Sequence, residues 1–168
     1  LQKDETLPAP ATYTVTVLET VPNGTAHNGY ISSETPTDNS VGPFSVPGKP
    51  DEIWIDLHAP LGFIIYDDNN SGDTYVQIAD FAVSFQEVND VGDPIGSPTT
   101  TNIRLTERMT DAAFWTFKFP LLVPVSSYEI TINRISNQTK NNLNISTVKI
   151  TRVAGVELIT ASDFGNVT

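Results

Sequence analysis

Apolar and polar residues alternate in short runs along the chain, and these runs predict its elements. Over 12–20, Tyr13, Val15 and Val17 share one face and Thr12, Thr14 and Thr16 the other, the period of a half-buried strand. A denser pattern begins at Asp51. Ile53, Ile55 and Leu57 alternate with Trp54, Asp56 and His58 as far as Pro60. A short apolar run follows over 63–66. The longest β stretch covers 75–88. There Val76 and Ile78 share one face and Phe81, Val83 and Phe85 the next, so the slip of one residue predicts a bulge near Ala79-Asp80. In 99–106 the pattern sets Ile103 and Leu105 inward. Trp115, Phe117 and Phe119 alternate with Phe114, Thr116 and Lys118, and the first set is expected in the core. Tyr128, Ile130 and Ile132 alternate with Glu129, Thr131 and Asn133. Val148 and Ile150 head a last strand that ends near Gly155 or Leu158. The helical period fits one turn only, over 107–113.

Turn chemistry separates these runs. Pro22-Asn23-Gly24, Pro47-Gly48-Lys49-Pro50, the stretch from Asp67 to Asp73 and Gly92-Asp93-Pro94 all carry turn residues. Residues 21–50 read as a loop region, or as hairpin residues whose partners lie elsewhere, with a short strand around 29–33. Seven strands in the stretch 51–158, with turns every 8–14 residues, predict an all-β protein. The expected fold is a fibronectin type III or immunoglobulin-like β-sandwich with an N-terminal extended or hairpin segment; a small barrel is the alternative. The expected units are 1–45, a linker with a strand or hairpin; 46–158, the sandwich; and 159–168, a polar tail. The polar start, Leu1-Gln-Lys-Asp-Glu-Thr6, is expected to be a cut from a longer chain rather than a signal peptide.

Composition supports strands. Thr (21), Val (15) and Ile (14) outnumber the helix fillers Ala, Leu and Glu among the 168 residues. The chain has no Cys, which excludes disulfides, zinc–thiolate sites and cysteine nucleophiles. Nine Lys and Arg stand against twenty Asp and Glu, a formal charge of −11 that argues against general binding to nucleic acid or anionic lipid. The charge is uneven. Residues 1–98 carry two bases and fifteen acids, and 99–168 carry seven bases and five acids. No apolar run approaches the length of a membrane span.

Residues that could carry chemistry are few. His27 lies in a polar loop, and His58 shares a strand face with Asp56, a pairing that could orient an imidazole. Asp67, Asn69, Ser71 and Gly72 fit the first half of an EF-hand loop, but its closing acid would fall at Ile78. Asp67, Asn69 and Asp73 leave a looser calcium site open, against the reading of a solvated acidic turn. Asp80, Glu87, Glu107 and Asp111 offer carboxylates without a spacing that singles out a pair. Trp54, Tyr66, Tyr75, Phe114 and Trp115 could build a sugar platform if Trp54, Tyr66 and Tyr75 form one exposed patch. Asn23, Asn137 and Asn144 head glycosylation sequons in Asn/Thr-rich stretches. No catalytic, cofactor-binding or metal residues are assigned, and no enzyme activity or cofactor is expected.

A set of local features, in order, carries a family resemblance. Gly42-Pro43-Phe44-Ser45-Val46-Pro47-Gly48 leads into a strand ending in Pro60-Leu61-Gly62. The acidic stretch Tyr66-Asp67-Asp68-Asn69 comes next, then Asn89-Asp90-Val91-Gly92-Asp93-Pro94-Ile95-Gly96. Tyr128-Glu129-Ile130-Thr131-Ile132-Asn133-Arg134-Ile135-Ser136 closes the set. From Val41 to about Leu158 the chain resembles the central tail-tip, or host-specificity (tip attachment protein J), proteins of lambda-like siphophages. Two departures stand out: Thr131 replaces the family's first Arg in its "IRV" strand, and the aromatic segment after the Ser-rich loop is absent between Asn137 and Ser146. The resemblance implies a non-enzymatic structural module of a phage tail tip, an internal fibronectin-like insertion involved in tail-tip assembly and host attachment. It implies other tail-tip subunits as partners, a homotrimer for the full-length protein, contact with a host cell-surface receptor, and a place in the virion after synthesis in the bacterial cytoplasm. The alternative is a carbohydrate-binding or adhesin-type β-sandwich.

Overall fold

The computed structural model describes residues 13–17, 40–67, 72–121, 127–136, 144–145 and 148–159. Among these the chain is all-β, with eleven strands: β1 (Tyr13–Val17), β2 (Ser40–Val46), β3 (Glu52–Ala59), β4 (Ile64–Tyr66), β5 (Thr74–Tyr75), β6 (Gln77–Val88), β7 (Thr99–Glu107), β8 (Ala113–Pro120), β9 (Ser127–Arg134), β10 (Asn144–Ile145) and β11 (Lys149–Ile159). They form two four-stranded antiparallel sheets, β1-β11-β3-β8 and β2-β9-β6-β7, and a small sheet, β10-β4-β5. The expected strand near residues 29–33 lies outside the described residues.

Alternation builds the core between the two large sheets. On β3, Ile53, Ile55, Leu57 and Ala59 are wholly buried while Trp54, Asp56 and His58 are half-exposed. From the facing sheet, β9 contributes Ile130 and Ile132, and β6 contributes Ala79, Phe81 and Val83. Each such large apolar side chain contributes about 1.5–3 kcal/mol on leaving water. Phe85 of β6 meets Phe119 of β8 with ring centroids 5.2 Å apart, and Phe63 meets Trp115 edge-on at 5.6 Å. β11 packs on β2 at the other flank.

Several sequence expectations change. β6 pairs with β7 in unbroken register from Gln77↔Glu107 to Phe85↔Thr99, so there is no bulge near Ala79-Asp80. One alternation runs from Gln77 to Phe85, with Gln77 taking the inward place and Val76 and Ile78 left exposed. Register shifts fall elsewhere, between Thr14 and Thr16 of β1, between Val41 and Phe44 of β2 and between Ile150 and Arg152 of β11. The expected helical turn over 107–113 is the end of β7 and a non-helical connection to β8, anchored by a bridge between Phe63 and Met109. Trp115, Phe117 and Phe119 are only half-buried, because β8 is the last strand of its sheet. β2 crosses the expected boundary at 45/46 and pairs with β9 through Ser40↔Asn133 and Val46↔Tyr128, so it is part of the sandwich. β1 pairs with β11.

Candidate functional site

The most structured polar surface is the outer face of β11-β3-β8. Sheet register sets it: Trp54 stands opposite Lys118 on one side and Ala154 on the other, and His58 opposite Phe114 and Lys149. Trp54 donates its indole N–H to Glu52 Oε2 at 2.7 Å. The Lys118 ammonium lies 4.0 Å from the ring centroid, and the Arg152 guanidinium carbon 5.7 Å from it. The indole is therefore flanked by a cation from each neighbouring strand, which suits the negative face of its π-system.

Two residues along β3, Asp56 ties the same three strands together. It accepts from Thr116 Oγ1 at 2.7 Å and from Arg152 Nε at 2.7 Å. Next comes His58, stacked on Phe114 with centroids 4.0 Å apart and planes 4° from parallel. Partial burial, and then the Lys149 ammonium, hold the imidazole below its ordinary pKa of 6.5. Asp56 and His58 share a face as expected. Asp56, however, accepts its side-chain bonds from Thr116 and Arg152, and His58 stacks on an aromatic ring, so the two do not form an acid–base dyad.

The remaining candidates are dispersed. Asp80 lies on the outer face of the other sheet, gripped by Arg104 at 2.6 Å (Nε–Oδ1) and 3.1 Å (Nη2–Oδ2). Those hydrogen bonds are the main reason its carboxyl sits below its ordinary pKa. Glu87 stands opposite Tyr128, Glu107 opposite Gln77, and Asp111 is exposed in the β7–β8 connection. Tyr66 and Tyr75 sit on the small sheet and make no ring contact with Trp54 among the described residues. At the acidic turn, Asp67 N–H bonds the Asp73 carbonyl at 2.9 Å. Asn69 and Ser71 lie outside the described residues, as do His27, Asn23 and Asn137. Among the described residues no group of three or more His, Cys, Asp or Glu is placed to hold a metal. No helix among them is long and apolar enough to cross a membrane.

Sequence reasoning missed Arg134. It continues the inward series Tyr128, Ile130, Ile132 and is wholly buried, 5.9 Å from the Phe81 ring. Burial lowers its pKa to about 10, against the opposing pull of Asp80. Its parity on β9 was the available signal. Lys118 and Arg152 were also visible as outward residues, but which ring they would flank depends on strand order.

No family model matches the chain, and no curated protein does.

Proposed function

We propose that the chain is a non-enzymatic structural module of a phage tail-tip protein, with a fibronectin type III-like sandwich whose end strands are exchanged. The motifs of the tail-tip resemblance fall on structural positions of the fold. Gly42-Pro43-Phe44 forms the bulged part of β2, and Pro60-Leu61-Gly62 is the step out of β3. Asn89–Gly96 spans the β6–β7 connection, and Tyr128–Arg134 lies in β9. In the immunoglobulin scheme, the first, second and fifth strands share one sheet and the third, sixth and last share the other. Here β3 and β8 lie side by side, as the second and fifth strands do, and β9-β6 matches the sixth and third, with the fourth, β7, added beside the third as in the variable type. The first long strand, β2, has moved to β9, and the last, β11, to β3.

The observation that carries the structural reading is Trp54 set between Lys118 and Arg152. With its ring flanked by the protein's own side chains, and Tyr66 and Tyr75 on another sheet, the sugar-platform alternative lacks its expected patch. The partners on this reading are other tail-tip subunits, with a homotrimer in the full-length protein, and a host surface receptor. Immunogold electron microscopy, with antibodies to this chain on tailed particles from cells that encode it, tests the reading. Label at the distal end of the tail is expected. Label on the capsid, or particles that carry none of the protein, would overturn it.

A further inference from the structure

Among the described residues, β8 pairs with β3 on one side only. Leu121 N–H bonds the Asp51 carbonyl at 2.8 Å, which fixes the phase of the ladder. With the register Ile53↔Phe119, Ile55↔Phe117 and Leu57↔Trp115, the odd residues of β8 bond β3. The N–H and C=O groups of Phe114, Thr116 and Lys118 therefore point away from the sheet. None of the three backbones has another hydrogen bond to a described residue.

The two sheets are also offset. β8 packs over β6 through Phe119 and Phe85, so the start of β7, paired with Phe85 through Thr99, projects past the edge of β8. Exposure reports the same step. Ile103 and Leu105 of β7 are buried, yet Thr99 and Thr101, of the same parity, are exposed. Above them Phe117 and Phe119 are only half-covered. A single strand laid along β8 would take up the three free donors, cover the half-buried aromatics and roof Thr99 and Thr101.

We propose that this step is a docking site for one extended peptide strand of a partner protein, apolar at alternate positions. The offset selects a lone strand over a second copy of this chain. Two sandwiches joined β8 to β8 about a two-fold axis perpendicular to the sheet would place both second sheets on one side, and the two projecting β7 strands would meet in the same space. The side chains at the edge define the occupant further. Apolar residues face Trp115, Phe117 and Phe119, and an acidic residue opposes Lys118, the outward cation of the edge. The two edges of the second large sheet fit less well. β2 is interrupted by its bulge and Pro43, and the outward side chains of β7 from Thr100 to Thr106 are polar. The proposal goes beyond the tail-tip reading and does not depend on it.

The probe is the peptide acetyl-Lys-Val-Glu-Val-Thr-Val-Thr-Lys-amide, at up to about 1 mM, the range in which short strand additions bind. Amide hydrogen exchange at Phe114, Thr116 and Lys118 is expected to slow by about tenfold or more, with a blue shift of Trp115 fluorescence in a Trp54→Phe background. The Thr116→Pro variant removes one free donor and leaves the backbone ladder to β3, though it also removes the Thr116–Asp56 side-chain bond, so a Thr116→Val variant serves as its control. Thr116→Pro is expected to weaken binding by about tenfold while remaining folded. Unchanged exchange at all three amides would overturn the proposal. So would equal binding by a peptide N-methylated at alternate residues, a result that decides the matter even if Thr116→Pro fails to fold. Protection of the same amides by self-association without peptide would overturn the lone-strand occupant.

Discussion

Lys118 of β8 sets its ammonium 4.0 Å from the ring centroid of Trp54 on β3, while Arg152 approaches the same ring from β11. The contact joins edge strand to inner strand on the solvent side, where the hydrophobic core gives no help. A Lys118→Met variant keeps the stem and removes the charge. It should lose about 0.5–1 kcal/mol of stability, the usual worth of such a contact at an exposed site. A double-mutant cycle with Trp54→Leu, read by urea unfolding, should recover that value as a coupling energy. A coupling near zero would show that the ring is held by packing alone.

Asp56 has a larger share in the same face, because Thr116 and Arg152 both donate to it across the strands on either side. Asp56→Ala should cost about 1–2 kcal/mol, a charge-assisted pair of bonds discounted for its half-exposed setting. Thermal unfolding of Asp56→Ala and Asp56→Asn compares the two parts. Asn retains an acceptor and should recover part of the loss.

The lowered pKa of His58 gives the fold a pH dependence of defined sign. The folded state disfavours the imidazolium, so the unfolded chain binds that proton more readily. The contribution is whole above pH about 6.5 and is lost as the pH falls through the lower folded value. His58→Phe keeps the stack on Phe114 and removes the titration. The melting temperature of the variant should change less than that of the natural chain between about pH 7 and 5. Asp80, also lowered, acts only below its ordinary value of 3.8 and leaves that window undisturbed. Parallel curves for the two proteins would remove His58 as the source.

Gly62 closes the step between β3 and β4 with φ +92, and a Cβ there would lie 2.5 Å from the Met109 carbonyl oxygen. That carbonyl accepts the Phe63 N–H at 2.7 Å, so it cannot retreat without breaking the Phe63–Met109 bridge. Gly62→Ala should lose about 2–4 kcal/mol, combining strain and displacement. Gly92 has the same φ but open space around it, and Gly92→Ala should lose only about 1 kcal/mol. Equal melting temperatures for the two variants would contradict the steric account.

Much of the fold was legible because a strand with one buried face writes its alternation into the sequence. β3 and β9 show this: Ile53, Ile55 and Leu57, and Tyr128, Ile130 and Ile132, are inward as their spacing predicts. The pattern failed where burial stops following hydrophobicity. Gln77 is buried and Ile78 exposed at the start of β6, and Arg134 sits inside at the end of β9. Alternation also carries no information about neighbours. It fixed which way Trp54 and Lys118 point, but their meeting depends on β8 lying beside β3. The places of β2 beside β9 and of β11 beside β3 follow from pairings roughly eighty to a hundred residues apart along the chain, which no local window contains.

Those distant pairings bear on how the molecule is made. As the chain leaves the ribosome, β2 waits for residues 127–134 and β3 for 113–120 and 149–156 before either has its partners. Until then their backbone donors and apolar faces remain open to water and to other nascent chains. Closing such long loops costs entropy before any contact repays it, so assembly is slow relative to a helical domain of equal size. β2 and β3 are made well before the strands that enclose them, and they must stay apart from other chains for that interval.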